Sequence, residues 1–230
     1  VYGWTEDGSE VVVGSPGWKR IDGTAILALN PDTGDVRPVF ESSRNRVYIL
    51  DPPRPYSGLR LLTLGLIEED EDGSTMAIDM LVVDVRTGEV AASYRAGCGI
   101  GIDISDDAER MVFSDCRSNE EGDDRSRLHF HDLIQGADVA TVELEGRVWY
   151  ANLSPNGEWA SVIYGADQDG AMAPAAVHVS GRIRTFEDDW SPVGWSGRTG
   201  VVLARHDKRW GVRELAVADV ETGEMRPVYP

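Results

Sequence analysis

The sequence alternates short apolar runs with polar turns, and five pairs of such runs follow one another along the chain. The runs are about five residues long and rich in β-branched or aromatic residues, as strands are. The first runs of the pairs are Ala25–Leu29, Met80–Val85, Leu128–Leu133, Ala175–Val179 and Leu215–Val220; the second runs are Val36–Phe40, Val90–Tyr94, Val139–Leu144, Ile183–Phe186 and Met225–Tyr229. The pattern therefore predicts five β-hairpins.

One turn motif, Asp/Asn-x-x-Thr/Gln-Gly, connects the two runs in four of the five pairs, and a worn version connects them in the fourth pair. Its glycines are Gly34, Gly88, Gly136, Gly181 and Gly223, which lie 54, 48, 45 and 42 residues apart in the sequence. The turn predicts a positive φ at the glycine, which other residues avoid. The period is that of a four-stranded blade and is too long for most helical repeats. The hairpins are interpreted as strands c and d of repeated blades.

A second motif precedes most pairs and predicts the hairpin of strands a and b. An apolar residue ends one strand, a turn of Ser, Asp, Pro or Gly follows, and a new apolar run begins. It covers Trp4–Val13, Ile104–Phe113, Leu153–Val162 and Trp195–Leu203, whereas the proline-rich stretch Asp51–Gly58 replaces it in the second unit, where Leu59–Leu66 is strand b. The first and last units also align: Gly3-Trp4 with Gly194-Trp195, and Thr33–Phe40 with Thr222–Tyr229.

This combination resembles the repeat of TolB-like and related WD-type propellers. The resemblance covers essentially the whole chain and implies an all-β fold, a β-propeller of about five four-stranded antiparallel blades. Residues 1–230 are expected to form a single propeller domain with blades near residues 1–41, 42–95, 96–144, 145–187 and 188–230, excised from a longer chain. The chain departs from the pattern because no Trp-Asp ends a strand, and because blade four has lost the Asp and Thr of its turn. TolB-like propellers usually have six blades.

The net charge of −18 restricts the classes of partner. A nucleic-acid-binding surface is basic, and so is a surface that binds anionic lipid, so both partners are excluded. No apolar run is long enough to span a membrane. The charge favours a basic protein or peptide, or divalent cations.

Acidic residues cluster in the predicted loops between strands b and c of three consecutive blades. Carboxylates on a tight turn are ligands for Ca²⁺, so Asp70, Asp72, Asp167 and Asp169 are candidate Ca²⁺ ligands. None of these loops has the spaced ligand set of an EF-hand. A cationic partner, or simple solvation of an acidic surface, explains them as well.

The same predicted face carries a basic-aromatic patch at the two ends of the chain. It consists of Trp18, Lys19 and Arg20 in blade one and Lys208, Arg209 and Trp210 in blade five. Tryptophan next to arginine is typical of binding hot spots. Alternatively, each tryptophan covers the apolar edge of its own hairpin.

Two further sets of residues could carry chemistry. Cys98 and Cys116 flank the a–b hairpin of blade three almost symmetrically, which predicts a cross-strand disulfide and an extracytoplasmic location. Two reduced, buried thiols are the alternative. His129 and His131 alternate on one strand and face one side, as a metal-binding pair can, but chance placement on a solvated face is the favoured interpretation.

The residues favour a binding module over an enzyme. No nucleophile elbow, zinc-protease motif or phosphate loop is present. A glycoside hydrolase needs two spaced carboxylates, and the inner strands offer only Asp103 and Asp51. We therefore expect a non-catalytic, secreted propeller, without a cofactor unless it is Ca²⁺, that recognises a protein or peptide through one loop face. A glycosidase and a self-assembling structural subunit of an extracellular assembly are the alternatives.

Overall fold

The computed structural model describes residues 3–14, 24–42, 46–49, 60–69, 75–96, 102–105, 107, 109–118, 124–165, 172–206 and 211–229. These residues form five antiparallel sheets of four strands each, and the strands of each sheet lie side by side in chain order. The expected all-β fold with five four-stranded blades is confirmed. None of the described segments forms a helix with the length and apolar character that crossing a bilayer requires.

The chain divides into two compact units, residues 1–97 and residues 98–230. Unit 1 holds blades one and two, and unit 2 holds blades three, four and five. That all blades form one domain stays a prediction. Blade one contains β1 (Gly3–Trp4), β2 (Val11–Gly14), β3 (Thr24–Leu29) and β4 (Val36–Ser42); blade two contains β5 (Arg46–Ile49), β6 (Leu61–Glu69), β7 (Thr75–Asp84) and β8 (Val90–Ala96).

Unit 2 repeats the same arrangement three times. Blade three contains β9 (Ile102–Ile104), β10 (Arg110–Ser118), β11 (Asp124–Asp132) and β12 (Ala137–Glu145); blade four contains β13 (Arg147–Leu153), β14 (Trp159–Gly165), β15 (Met172–His178) and β16 (Ile183–Thr185); blade five contains β17 (Ser191–Ser196), β18 (Gly200–His206), β19 (Val212–Asp219) and β20 (Met225–Tyr229). In every blade the first and fourth strands are the sheet edges.

The turn motif between strands c and d folds as its residues predict. The Asp84 Oδ1 accepts hydrogen bonds from the backbone N–H groups of Arg86 and Thr87, both at 2.9 Å, and Gly88 follows with φ of 73°. Asn30, Asp132 and Asp219 make the same pair of bonds in their blades. The side chain thus satisfies the N–H groups that the tight turn leaves without ladder partners.

Blade four closes its turn differently, because it lacks the aspartate. The Nδ1 atom of His178 accepts the hydrogen bond from the Ser180 N–H at 3.1 Å, and Gly181 has φ of 88°. The Gly181 N–H then bonds to the His178 carbonyl, one residue closer than in the other blades. An imidazole acceptor therefore replaces the carboxylate.

The a–b hairpin has a second repeated device. The Ser154 hydroxyl accepts the Trp159 N–H at 2.9 Å and donates to Asn156 Oδ1 at 2.8 Å. Thr5 with Asp7 in blade one, and Ser105 with Asp107 in blade three, make the corresponding bonds. Each hydroxyl is buried, so its two bonds explain the Ser/Thr-x-Asp/Asn pattern of the motif.

Apolar cores lie between consecutive blades of a unit. In unit 1, residues of β2, β3 and β4 pack against β6 and β7; in unit 2, blade three packs on blade four, and blade four on blade five. Blade four is covered on both faces, so Ala160, Ser161 and Val162 of β14 are all fully buried. In blade five the pattern alternates: Val201 and Leu203 are fully buried, whereas Val202 is partly exposed.

Blade two differs from the sequence expectation in the extent of its middle strands. Strand b was expected over Leu59–Leu66, whereas β6 continues to Glu69 and pairs with a β7 that begins at Thr75. Glu68 and Glu69 therefore lie in a strand rather than in the acidic loop, because antiparallel ladder bonds continue the hairpin.

Candidate binding site

The residues of the predicted basic-aromatic patch and of the predicted acidic loops all lie outside the described residues. They are Trp18, Lys19, Arg20, Lys208, Arg209 and Trp210 of the basic-aromatic patch, and Asp70, Asp72, Asp167 and Asp169 of the acidic loops. Cys98 also lies outside, and only the backbone of Cys116, in β10, is described. These assignments stay predictions. The described residues reach both flanks of the blade-five loop, where β18 ends at His206 and β19 begins at Val212.

A groove of about 570 Å³ lies on blade five, beside the segment that connects β16 to β17. Trp190, in that segment, is only 6% exposed, whereas Met225 on β20 keeps 43% of its surface exposed. Concave sites with apolar lining and a few polar groups are typical ligand sites. The lining residues are Trp190, Arg213, Glu214, Leu215, Ala216, Met225 and Pro227.

The Arg205 side chain holds Trp190 in place. Its guanidinium lies 4.3 Å from the centroid of the indole ring, within the range of a cation–π contact. It also forms ion pairs with Glu187 at 2.6 Å, Asp189 at 2.8 Å and Glu214 at 3.1 Å. Desolvation opposes the charge, but the hydrogen bonds to Glu214 and Asp189 outweigh it and raise the pKa of Arg205. The segment before β17 is therefore fixed to the sheet.

Apolar surface in the groove is bordered by charges of both signs. The Arg213 side chain is 74% exposed and lies 3.7 Å from the Glu214 carboxylate. Pro227 makes the edge strand β20 a poor partner for an added strand, because its ring nitrogen cannot donate a hydrogen bond to that strand. Side-chain insertion, rather than strand addition, is the mode of binding that this geometry suits. In the sequence, the signal that could have indicated this groove is the acidic-aromatic segment Glu187–Trp190. The repeat pattern assigns this segment to the connection between blades four and five.

Unit 1 contains a smaller cleft, of about 270 Å³, which is lined by polar and charged residues. Part of its charge is paired, since Arg37 is bound to Glu10 by a two-point ion pair and to the Val85 carbonyl. Hydrogen bonds from Ser9 and Thr5 lower the pKa of Asp7 to about 2. The cleft is a bonded seam between blades one and two. Its lining residues are Thr5, Glu6, Asp7, Glu10, Arg37, Arg60, Asp84 and Arg86.

The two histidines of β11 face the same side, as their spacing predicts, and share one carboxylate. The Nδ1 atoms of His129 and His131 each lie 2.8 Å from an oxygen of Asp138. Desolvation raises the pKa of Asp138, but the two histidine bonds outweigh it and hold it below the ordinary value. Phe113 stacks on His129 at 4.6 Å. In the part of the chain that is described, no group of three or more His, Cys, Asp or Glu side chains could hold a metal ion.

Asp103, one of the two acids that a glycosidase would require, is 1% exposed on β9. Its Oδ1 accepts the Ile104 N–H at 2.8 Å, and its Oδ2 accepts the Leu153 N–H of blade four at 2.6 Å. The carboxylate thus connects two blades of unit 2. Asp51, the other acid, lies outside the described residues.

No family model matches this chain, and no curated protein matches it. The structure is similar to oligogalacturonate lyase from Vibrio parahaemolyticus, with a TM-score of 0.59, 14% identity, and coverage of 98% of this chain and 63% of that chain. It is also similar to the β-propeller domain of the Trilobed protease from Pyrococcus furiosus, with a TM-score of 0.54, 11% identity, and coverage of 74% and 54%. TolB from Acinetobacter baumannii matches with a TM-score of 0.49, 15% identity, and coverage of 97% and 55%.

These similarities concern the fold. At that level, the similarity to the β-propeller domain of the Trilobed protease confirms the predicted β-propeller. The chain spans between about half and two thirds of the length of these three solved structures. At identities of 11 to 15%, the activities that their names state belong to those proteins.

Proposed function

We propose that this chain is a non-catalytic binding or scaffold propeller that recognises a protein or peptide partner through the groove on blade five. The observation that carries the proposal is the open, partly apolar lining around Trp190 and Met225. Tryptophan and arginine dominate the binding energy of many interfaces, and here Arg205, which forms three ion pairs, holds Trp190 through a cation–π contact. A rigid site loses less conformational entropy when a ligand binds.

The absence of catalysis is part of this proposal. Two observations support it: Asp103 uses both carboxylate oxygens to bind backbone N–H groups, and it is 1% exposed. A general acid or base must reach the substrate, directly or through one water molecule. The lyase of similar fold makes an enzyme the alternative.

The proposal is tested with a displayed library of random peptides, selected against the wild-type chain and measured with purified peptides by calorimetry. Met225→Glu introduces a charge into the groove, and we expect it to weaken the selected peptides about tenfold or more, equivalent to about 1.4 kcal/mol. The matched control is Val212→Glu, because Val212 is 50% exposed on the same blade and does not line the groove. Equal affinity for both variants, or no enriched peptide, would contradict the proposal.

We also propose an extracytoplasmic location, which rests on the predicted disulfide between Cys98 and Cys116. Mass spectrometry of the non-reduced protein checks it: a linked peptide pair is expected, and two free thiols would contradict it.

The candidate Ca²⁺ ligands are tested separately by thermal unfolding with and without Ca²⁺, since a bound ion stabilises the folded state.

A further inference from the structure

The candidate groove exists because the outer strand of blade four is short. That strand, β16, ends at Thr185 after three residues, whereas the outer strand of blade three, β12, has nine. After β16 the chain continues to Trp190, the residue directly before β17. Met225 and Pro227 of β20 lie on the same face as Ala216, which belongs to the core between blades four and five. Both sides of the groove therefore belong to unit 2, and β16 is too short to cover this face.

The groove has room for one extended peptide. Met225 pairs with Ala218, and Glu214 lies four residues away from Ala218 on β19, so the two ends of the groove are about 13 Å apart at ~3.3 Å per residue. A volume of about 570 Å³ over that length corresponds to a mean cross-section of about 45 Å², or a width of roughly 6–7 Å. An α-helix with its side chains is about 10–12 Å wide and does not fit. We therefore expect about four residues of extended chain.

The middle of the groove is apolar. Ala216 is 2% exposed and is the smallest lining residue, so it leaves a recess beside Pro227, with which it pairs. Trp190 is buried, and the guanidinium of Arg205 lies against its ring. Met225 adds an exposed, flexible side chain that can adapt to the shape of a partner. An aliphatic or aromatic side chain of the ligand can bury this surface.

The end of the groove at Glu214 is acidic. Three carboxylates share the single guanidinium of Arg205, and they belong to Glu187, Asp189 and Glu214. A carboxylate has two oxygens and can accept several hydrogen bonds. The Glu187 and Asp189 side chains are 74% and 63% exposed, and among the described residues neither carboxylate has a partner besides Arg205. Both can therefore accept a hydrogen bond from a cationic group of the ligand.

This end keeps a negative charge after its ion pairs are counted. The exposed Asp188 adds a fourth carboxylate, and Arg213, 3.7 Å from Glu214, adds a second guanidinium. Four carboxylates and two guanidiniums leave an excess of two negative charges beside the apolar surface. Opposite charges are matched across interfaces, so a ligand with Lys or Arg fits this end better than a ligand with Asp or Glu.

We propose that the groove binds an extended peptide segment in which a Lys or Arg lies two positions from an apolar residue. The spacing follows from β19, where Ala216 and Glu214 are two residues apart on one face, at a distance of about 7 Å. Side chains two positions apart in an extended ligand share a face and have the same spacing. The apolar side chain then lies on Ala216, while the cation reaches Glu214, Glu187 and Asp189. This inference rests on the proposed function and adds the class of peptide to it.

The peptides selected against the wild-type chain provide the first test. Those whose affinity Met225→Glu weakens occupy the groove, and we expect them to carry Lys or Arg two positions from an apolar residue more often than the unselected library does. Cations one or three positions away should not be enriched, because they point to the opposite side of an extended chain. Equal enrichment at all spacings, or enrichment of Asp and Glu, would overturn the proposal.

A double-mutant cycle tests whether the acidic end recognises the cation. A selected peptide is compared with the same peptide in which uncharged citrulline or acetyl-lysine replaces the Arg or Lys, and calorimetry measures both with the wild type and with Glu187→Gln. Glutamine keeps an oxygen that can accept a hydrogen bond from Arg205 but removes the charge. We expect the preference for the charged peptide to fall about two- to fivefold, as for other exposed ion pairs. The matched control is Glu143→Gln, since Glu143 is exposed on blade three, and it should keep the wild-type preference.

The two proposals fail in different ways. If Met225→Glu weakens the peptides but Glu187→Gln leaves the preference for the charged form unchanged, the groove binds peptides without recognising a cation, and only this inference is wrong. Glu187 would then act only by holding Arg205 against Trp190. If no peptide is enriched, or if Met225→Glu leaves every affinity unchanged, the proposed function itself is wrong, and the peptide class is wrong with it.

Discussion

Asp103 provides the sharpest test of how neighbouring blades are joined in unit 2. Its carboxylate is 1% exposed and accepts two backbone N–H groups, that of Ile104 on its own strand and that of Leu153 on blade four. The change Asp103→Asn keeps the size and shape of the side chain but replaces one acceptor oxygen with an NH₂ group. One of the two N–H groups then faces a donor and loses its partner.

The magnitude follows from that loss. A buried donor without a partner costs about 1–3 kcal/mol, and hydrogen bonds to a charged acceptor lie at the upper end. For a chain of this size, a loss of about 2 kcal/mol lowers Tm by about 4–8 °C. We expect Asp103→Ala to cost more, because it removes both acceptors and leaves a cavity.

The assay is urea unfolding followed by tryptophan fluorescence, with calorimetry for Tm. Glu143→Gln is the control, since Glu143 is an exposed acid on β12, and its unfolding midpoint should stay at the wild-type value. If Asp103→Asn unfolds at the same urea concentration as the wild type, the carboxylate does not join the two blades. It would then be free for another role, including the glycosidase chemistry that the sequence left open.

Two further predictions concern a titrating cluster and a turn. Because the pKa of Asp138 is lowered by the two histidines, its stabilising effect is present at neutral pH and is lost as the pH falls through that lowered value. Asp138→Asn should therefore cost about 1 kcal/mol at pH 7, after solvent screening, and nearly nothing in strong acid; a cost that does not change with pH in urea unfolding would contradict this. Gly157→Ala should lower Tm more than Gly136→Ala, since both have positive φ but only the first would place Cβ 2.6 Å from the Arg110 side chain; equal losses would show that Arg110 moves away freely.

The repeat could be predicted because its turns are local. An Asx side chain that binds the N–H groups two and three residues later needs no distant partner, so the sequence motif and the folded turn agree in four blades. Blade four shows where such reasoning ends. Its turn lacks the aspartate, and the sequence gives no sign that His178 supplies the acceptor instead.

The candidate groove could not be predicted in the same way. Trp190 lies in a connection between blades, and Arg205, which stacks on it, comes from a strand 15 residues later. Asp103 is a second example: its position on an inner strand made it a candidate acid only for the glycosidase alternative, whereas its hydrogen bond to Leu153 joins residues 50 positions apart in the sequence. Contacts of this kind depend on how two blades meet, and residue types alone do not encode them.

Overall composition and periodicity determined the class of fold, the four-stranded unit and the acidic character of the surface, because these depend on local turn chemistry and on the alternation of apolar residues along each strand. Only the tertiary structure decided which of two equivalent residues is buried. Val39 and Val228 occupy the same place in the repeat, yet one is 3% and the other 60% exposed. The physical reason is that burial belongs to the neighbouring sheet, and a strand cannot specify by its own sequence whether that neighbour is present.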